Sequence, residues 1–290
     1  MKKKSFLKSS IALILAAMLV GSAVGCKGNT DNNESNTGTT QSVTESSTEK
    51  VSVNYGLTDS IKDGAILHAW CWSFNTVKEN MQDIAYAGYS TIQTSPINEC
   101  FVGADGGMQI SGDGKWYYHY QPTDWTIGNY QLGTKDEFKA MCDEAEKYGV
   151  RVIVDIVANH MGNIKGWKIG SVEEVMGDIS PQVGEFWNPD MLTDSSYWHI
   201  STSWVHSSDG RFDVTQGNMG MPDLNTGDSK VQQMVLNLLK ECIDCGADGF
   251  RFDAAKHIET PADNPAFASN FWDVVLDGAR DYYKQVNHYD

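Results

Sequence analysis

The 290-residue sequence is poor in positive charge: 22 Lys and Arg stand against 38 Asp and Glu, for a formal net charge of −16. Past the N-terminus the Lys and Arg residues form no cluster. Binding to nucleic-acid phosphates draws its affinity from such clusters, so no nucleic-acid partner is expected. Cysteine is also scarce. Beyond Cys26 the sequence holds Cys71, Cys100, Cys142, Cys242 and Cys245, an odd set with no tight framework. That argues against a disulfide scaffold and for core thiols. Cys242 and Cys245 form a CxxC inside a helical pattern, but no second pair or histidine cluster accompanies them to make a zinc site. No apolar run reaches the roughly 20 residues a membrane span needs. No Gly-rich phosphate fingerprint follows the first strand, which counts against a nucleotide-binding fold.

What is present begins with a targeting signal. A basic "MKKKSFLKSS" precedes the apolar "IALILAAMLVG" and the small residues "SAVGC". This pattern resembles a bacterial lipoprotein signal over residues 1–25, with Cys26 as the lipidated residue and ordinary secretory cleavage as the alternative. Residues 26–52 are polar and low in complexity, so they read as a disordered tether to a cell-surface or secreted protein. Nine Trp and twelve Tyr supply flat faces that stack on sugar rings as readily as they fill a core.

From residue 53 to 290 the pattern alternates strand and helix. "AILHAWCW" (Ala65–Trp72) reads as a buried strand. A helix capped by Asn75 then runs to about Ala87, with Gly88 as its stop. "STIQTS" (Ser90–Ser95) is the second strand. A long loop follows, and "TKDE" at Thr134 is a capping box that opens a helix to Tyr148. "VRVIVDIV" (Val150–Val157) is an apolar run suited to a parallel strand buried on both faces. After a second long segment, a helix from Ser229 to Gly246 leads into the strand of "DGFRFDAAKH". A final helix is expected from about Asn264 to Gln285. Parallel strands with crossover helices make an α/β fold. The long segments follow strands, and Asp155 and Asp253 sit near strand ends, which favours the N-terminal half of a (β/α)8 TIM barrel, about four strands, over a doubly wound sheet.

Three stretches carry polar chemistry. In "DIVANH", Asp155 ends an apolar strand, and Asn159 and His160 follow in the loop. A turn cap and a satisfied histidine are the bland alternatives. In "GMPDLN", Asp223 is a turn residue or a hard oxygen donor to a cation. In "GFRFD", a strand puts Phe250 and Phe252 on one face, and Arg251 and Asp253 on the other. A charged pair inside a barrel is costly unless it is paired or used, and an arginine beside an aspartate favours the ionised form a nucleophile needs.

Together these stretches resemble the α-amylase family of retaining glycoside hydrolases. "TIQTSPINE" is similar to its second-strand stretch, and "WYYHYQP" (Trp116–Pro122) to its sugar-stacking stretch. The likeness covers about residues 60–290. It implies Asp253 as nucleophile, Arg251 as the charge beside it, and His160 as a donor to the sugar at the cleavage point. Lys256 and His257 would lie toward the leaving group. Trp116 and Tyr120 would stack on glucose, with Tyr117 and Gln121 beside them. Asn159, Asp223 and the main-chain carbonyl of His257 would bind Ca²⁺, which would tie a loop subdomain at about 158–227 to the barrel. The implied activity is hydrolysis of internal α-1,4 bonds in starch with retention.

One departure is plain. Retaining hydrolysis uses two carboxyl groups, and the family's acid/base Glu, at the end of its fifth strand, has no counterpart here. A fragment of a longer gene product is therefore expected, with little activity alone and with open sheet edges that invite aggregation. A related transglycosylase, a maltodextrin hydrolase or a non-catalytic starch-binding lipoprotein are the alternative readings.

Overall fold

A computed structural model describes residues 54–101, 116–162, 189–192, 194–199, 210–217 and 219–287. The expected signal and tether lie outside the described residues.

The chain opens its sheet with β1 (Ala65–Ala69). The strand is shorter than its apolar run because Cys71 turns at φ 57 and its N–H donates to Ser95 Oγ at 2.9 Å, which draws the chain off the ladder. Two short helices follow, α1 (Phe74–Glu79) and α2 (Met81–Tyr86). Ser73, not Asn75, is the cap: its Oγ accepts from the Thr76 N–H at 3.1 Å. The expected single helix is interrupted at Asn80, whose side-chain amide donates to the Thr76 carbonyl and so competes with the helical ladder. Phe74, Val77, Met81 and Ile84 are all buried, at helical spacing, so one apolar face runs across the interruption.

The second strand is β2 (Tyr89–Thr94). The loop after it contains an antiparallel ribbon that the sequence reading did not foresee: β3 (Asn98–Cys100), β4 (Pro122–Asn129) and β5 (Gly133–Thr134). Helix α3 (Lys135–Tyr148) carries the expected capping box between Thr134 and Glu137, and it stops at Gly149 at φ 70. Strand β6 (Arg151–Val157) is buried at every position except Arg151. A short α4 (Arg211–Gln216) lies in the second long segment. Helix α5 (Ser229–Asp244) is capped by the Asp228 carboxylate, and Val231, Val235, Leu238, Leu239 and Cys242 form its buried face. Strand β7 (Gly249–Asp253) follows.

The last helix, α6 (Gly278–Asn287), is preceded by a π-helical turn at Asp273–Asp277. It does not begin at Asn264 as expected. Pro265 disfavours helical backbone at Asn264, and Asn264 Oδ1 accepts from the Ala266 N–H in a local turn. Gly278 packs closely on α5: a Cβ there would stand 2.8 Å from Leu236 Cδ2 and would push that side chain aside.

Four strands pair in parallel in the order β1-β2-β6-β7. Sequential parallel neighbours joined by helical crossovers make the first half of a (β/α)8 barrel. Among the described residues β1 and β7 each have only one strand neighbour in this sheet. All five cysteines past Cys26 are buried and none of them forms a disulfide, as core thiols should be.

Candidate active site

Register places the charged residues. β6 and β7 pair Asp155 with Arg251 and Val157 with Asp253, so Asp155 and Arg251 share a sheet face. Arg251 Nη1 donates to Asp155 Oδ1 at 2.9 Å and to Asp253 Oδ1 at 2.8 Å. The other Asp155 oxygen accepts from the Tyr120 hydroxyl at 3.1 Å. Burial pushes the Asp155 carboxyl up to about 6, against the lowering effect of Arg251 and Tyr120. Burial opposes the charge on Arg251, but the two carboxylates outweigh it and raise its pKa. Burial, and then the charge of Asp155, raises the pKa of Tyr120, which keeps its proton for the donated bond.

Asp253 and Arg251 open into a cleft of about 1070 Å³ that Trp116, Tyr117, Tyr120 and Gln121 also line. Trp116 and Tyr117 are 48% and 43% exposed, as flat surfaces for a ligand would be. Trp116 stands edge-on to Tyr120, with centroids 5.9 Å apart, and is tilted at 5.3 Å to Trp70. Trp70, His68 and Gln93 line the same cleft and were missed in the sequence. A signal was available: His68 and Gln93 are register partners on β1 and β2, polar residues inside strands like Asp155.

His160 is buried, and its Nε2 donates to the Tyr120 carbonyl at 3.0 Å. Its Nδ1 has no partner among the described residues. Burial lowers its pKa. The stretches "ANH" and "MPDLN" lie side by side: His160 and Asp223 form a bridge, and the Leu224 N–H donates to the Asn159 carbonyl at 2.9 Å. Asn159 Nδ2 donates to Asp223 Oδ1 at 2.8 Å, and His199 Nδ1 donates to Asp223 Oδ2 at 2.9 Å. The other His199 nitrogen reaches Glu259 at 3.1 Å. Burial, the largest effect, raises the Asp223 carboxyl to about 7. Burial lowers the His199 pKa, but the contacts with Asp223 and then Glu259 reverse that and raise it. Neither His199 nor Glu259 was singled out in the sequence.

Lys256 and His257 are not among the residues lining the cleft. Lys256 is exposed, while His257 is buried with its Nδ1 donating to the Val214 carbonyl on α4 at 2.8 Å. His257 thus meets the loop segment through its ring.

The arrangement is a carboxylate held by a guanidinium at a strand end, beneath an aromatic cleft. The family described as "Alpha amylase, catalytic domain" matches residues 77–287. An α-amylase of Butyrivibrio fibrisolvens is 45% identical over 236 residues, and one of Clostridium acetobutylicum is 42% identical over 231 residues. These alignments cover 79% and 78% of this chain, but the chain spans only 22% and 27% of those relatives' lengths. Among solved structures, a variant of α-amylase I from Eisenia fetida in complex with maltohexaose has a TM-score of 0.57. That match has 22% identity and covers 74% of this chain and 40% of that one. The α-amylase of Geobacillus thermoleovorans complexed with acarbose has a TM-score of 0.55 at 20% identity, covering 76% and 44%. At these identities the structural likeness speaks for the shared fold. With more than half of its length matched by the catalytic-domain family, this chain belongs to the α-amylase family.

Proposed function

We propose that this chain carries the nucleophile side of an active site that hydrolyses internal α-1,4-glucosidic bonds of starch and related glucans with retention. The observation that supports this best is the Arg251 guanidinium, which bridges Asp155 and Asp253 at the floor of the aromatic cleft. In this reading an Asp253 oxygen attacks the anomeric carbon and the glycosidic C–O bond breaks. The departing oxygen takes a proton from an acid/base carboxyl. Water then attacks the glycosyl-enzyme, gives its proton back to the acid/base group and frees Asp253. Arg251 fixes one Asp253 oxygen, and Asp155 fixes Arg251. Trp116, Tyr117 and Tyr120 offer faces to glucose rings, with Gln121 beside them. His160 lies next to Tyr120 but is buried and does not line the cleft, so its proposed bond to the sugar would need it to be uncovered.

The cleft has one carboxylate among its described lining residues, Asp253. A second carboxyl group, the acid/base, is part of the same proposal.

Calcium belongs to the same proposal. Asn159 and Asp223 are both buried and bring an amide and a carboxylate, the donor types a hard cation takes, although here both Asp223 oxygens accept hydrogen bonds, from Asn159 Nδ2 and His199 Nδ1. The His257 carbonyl is the third donor implied. No three His, Cys, Asp or Glu side chains among the described residues form a metal group. His199 stands between Asp223 and Glu259, meeting each with a different ring nitrogen, and does not join them around one point. A bound ion would supply the charge that a buried Asp223 lacks and would tie the loop to the strand end. Location is proposed from the sequence alone: export, with a lipid on Cys26 holding the domain at a bacterial cell surface.

The test is product analysis with the full-length protein on starch. Fast shortening of internal chains with α-configured new ends is expected. Products of β configuration, release from chain ends only, or products longer than the substrate would overturn the reading.

A further inference from the structure

The segment after β6 returns to the strand-end site through α4, and its first residue makes four bonds. Arg211 Nε and Nη2 grip the Asp263 carboxylate at 2.7 and 2.9 Å. Nη2 also donates to the Ile258 carbonyl at 2.7 Å, and Nη1 donates to the Lys256 carbonyl. Two more bonds join the same segments: His257 Nδ1 to the Val214 carbonyl, and the Gln216 amide to Glu259. Asp263 also accepts from the Thr260 N–H at 2.7 Å, so the guanidinium is tied to an ordered turn. Arg211 lowers the Asp263 pKa to about 2.

The clamped segment starts beside the nucleophile. Ala254 follows Asp253 directly and sits at φ 50, ψ 26, the left-handed region that a residue with a Cβ avoids. Such a conformation persists when the surroundings over-determine it. Arg211 fixes carbonyls two and four residues further on. Only a planar guanidinium can reach a carboxylate and two carbonyls at once; a lysine ammonium is a single centre without that fork.

We propose that Arg211 is a positioning residue for the leaving-group side of the cleft. It holds the 254–258 turn, which begins at the residue after Asp253, and so sets the edge of the site where the glucose units beyond the bond being cut would lie. This rests on the α-amylase reading above. A substrate with sugars on that side depends on the clamp, while one that leaves as a small activated phenol does not.

The experiment compares Arg211→Lys, Arg211→Ala and Asp263→Asn in the full-length enzyme on maltooligosaccharides and on an aryl α-maltotrioside. For both Arg211 variants kcat/KM on oligosaccharides should fall by roughly tenfold or more, chiefly through KM, with the aryl substrate changed less than about threefold. Asp263→Asn should show the same split more weakly, since Arg211 keeps its bonds to the two carbonyls. Backbone amide exchange at 255–260 should quicken in each variant. Equal loss on both substrates, no loss on either, or unchanged exchange overturns the proposal. If Arg211→Ala does not fold, the other two variants decide it. Wild-type enzyme that cleaves neither substrate overturns the amylase reading beneath it and this proposal with it.

Discussion

Asp155 and Asp223 are both buried aspartates, 0% and 4% exposed, and burial raises the pKa of each. They sit in differently built clusters. Asp155 is held by strand register: its partner on β7 is Arg251, a cation at any working pH. Asp223 is held by loop segments that meet just past the end of β6, and its cationic partner is His199, an imidazole that titrates. The first cluster carries its own fixed countercharge. The second has a conditional one, which leaves room for a metal ion. In the proposed function, chemistry falls to the first cluster and tethering to the second.

The sharpest way to break this contrast is to change one atom in each. Asp253→Asn in the full-length enzyme should cut starch turnover by about 10³-fold or more while starch binding and melting temperature stay near wild type. Retained turnover would remove the nucleophile assignment. Arg251→Met should leave Asp155 buried without its cation and cost about 3 kcal/mol of stability, read by urea unfolding. A cost below about 1 kcal/mol would mean that Asp155 is neutral or hydrated. At the loop cluster, chelation should lower Tm and added calcium should restore it. Asp223→Asn should make Tm insensitive to both. Equal sensitivity in the variant would place any ion elsewhere.

Smaller effects sharpen the account. The folded-state pKa of Asp155 is raised to about 6. Its ordinary value is about 3.9. The folded protein thus holds this proton more tightly. The contribution is most favourable below about pH 4 and is lost as pH rises through 6, a fall of roughly 3 kcal/mol. Asp155→Asn should flatten that part of the stability profile, and an unchanged slope would assign it to other groups. The smallest effect is expected at Ala254, at φ 50. Ala254→Gly should raise stability by about 0.5–1 kcal/mol, and a loss instead would show that the methyl group is packed, not merely tolerated.

The sequence made the strand cluster legible because strand periodicity is local. Phe250 and Phe252 pack against the core while Arg251 and Asp253 face the cleft, as alternation along one strand requires. The capping box at Thr134 was readable for the same reason. What was not readable depended on distant partners. The turn at Cys71 comes from Ser95, the clamp at Arg211 from Asp263, and the bridge at His199 from Glu259. No spacing rule joins those pairs. The antiparallel ribbon β3-β4-β5 was lost inside a loop because Gly128 and Gly133, at φ 117 and 118, broke up its strand pattern. His257 looked like a cleft residue, yet its ring bonds to α4.

The central claim is that the Asp253 carboxylate forms the bond to sugar. Trapping the full-length enzyme with a mechanism-based fluorosugar, followed by peptide mass spectrometry, tests it most directly. The account predicts a glycosyl adduct on Asp253; an adduct on any other side chain contradicts it.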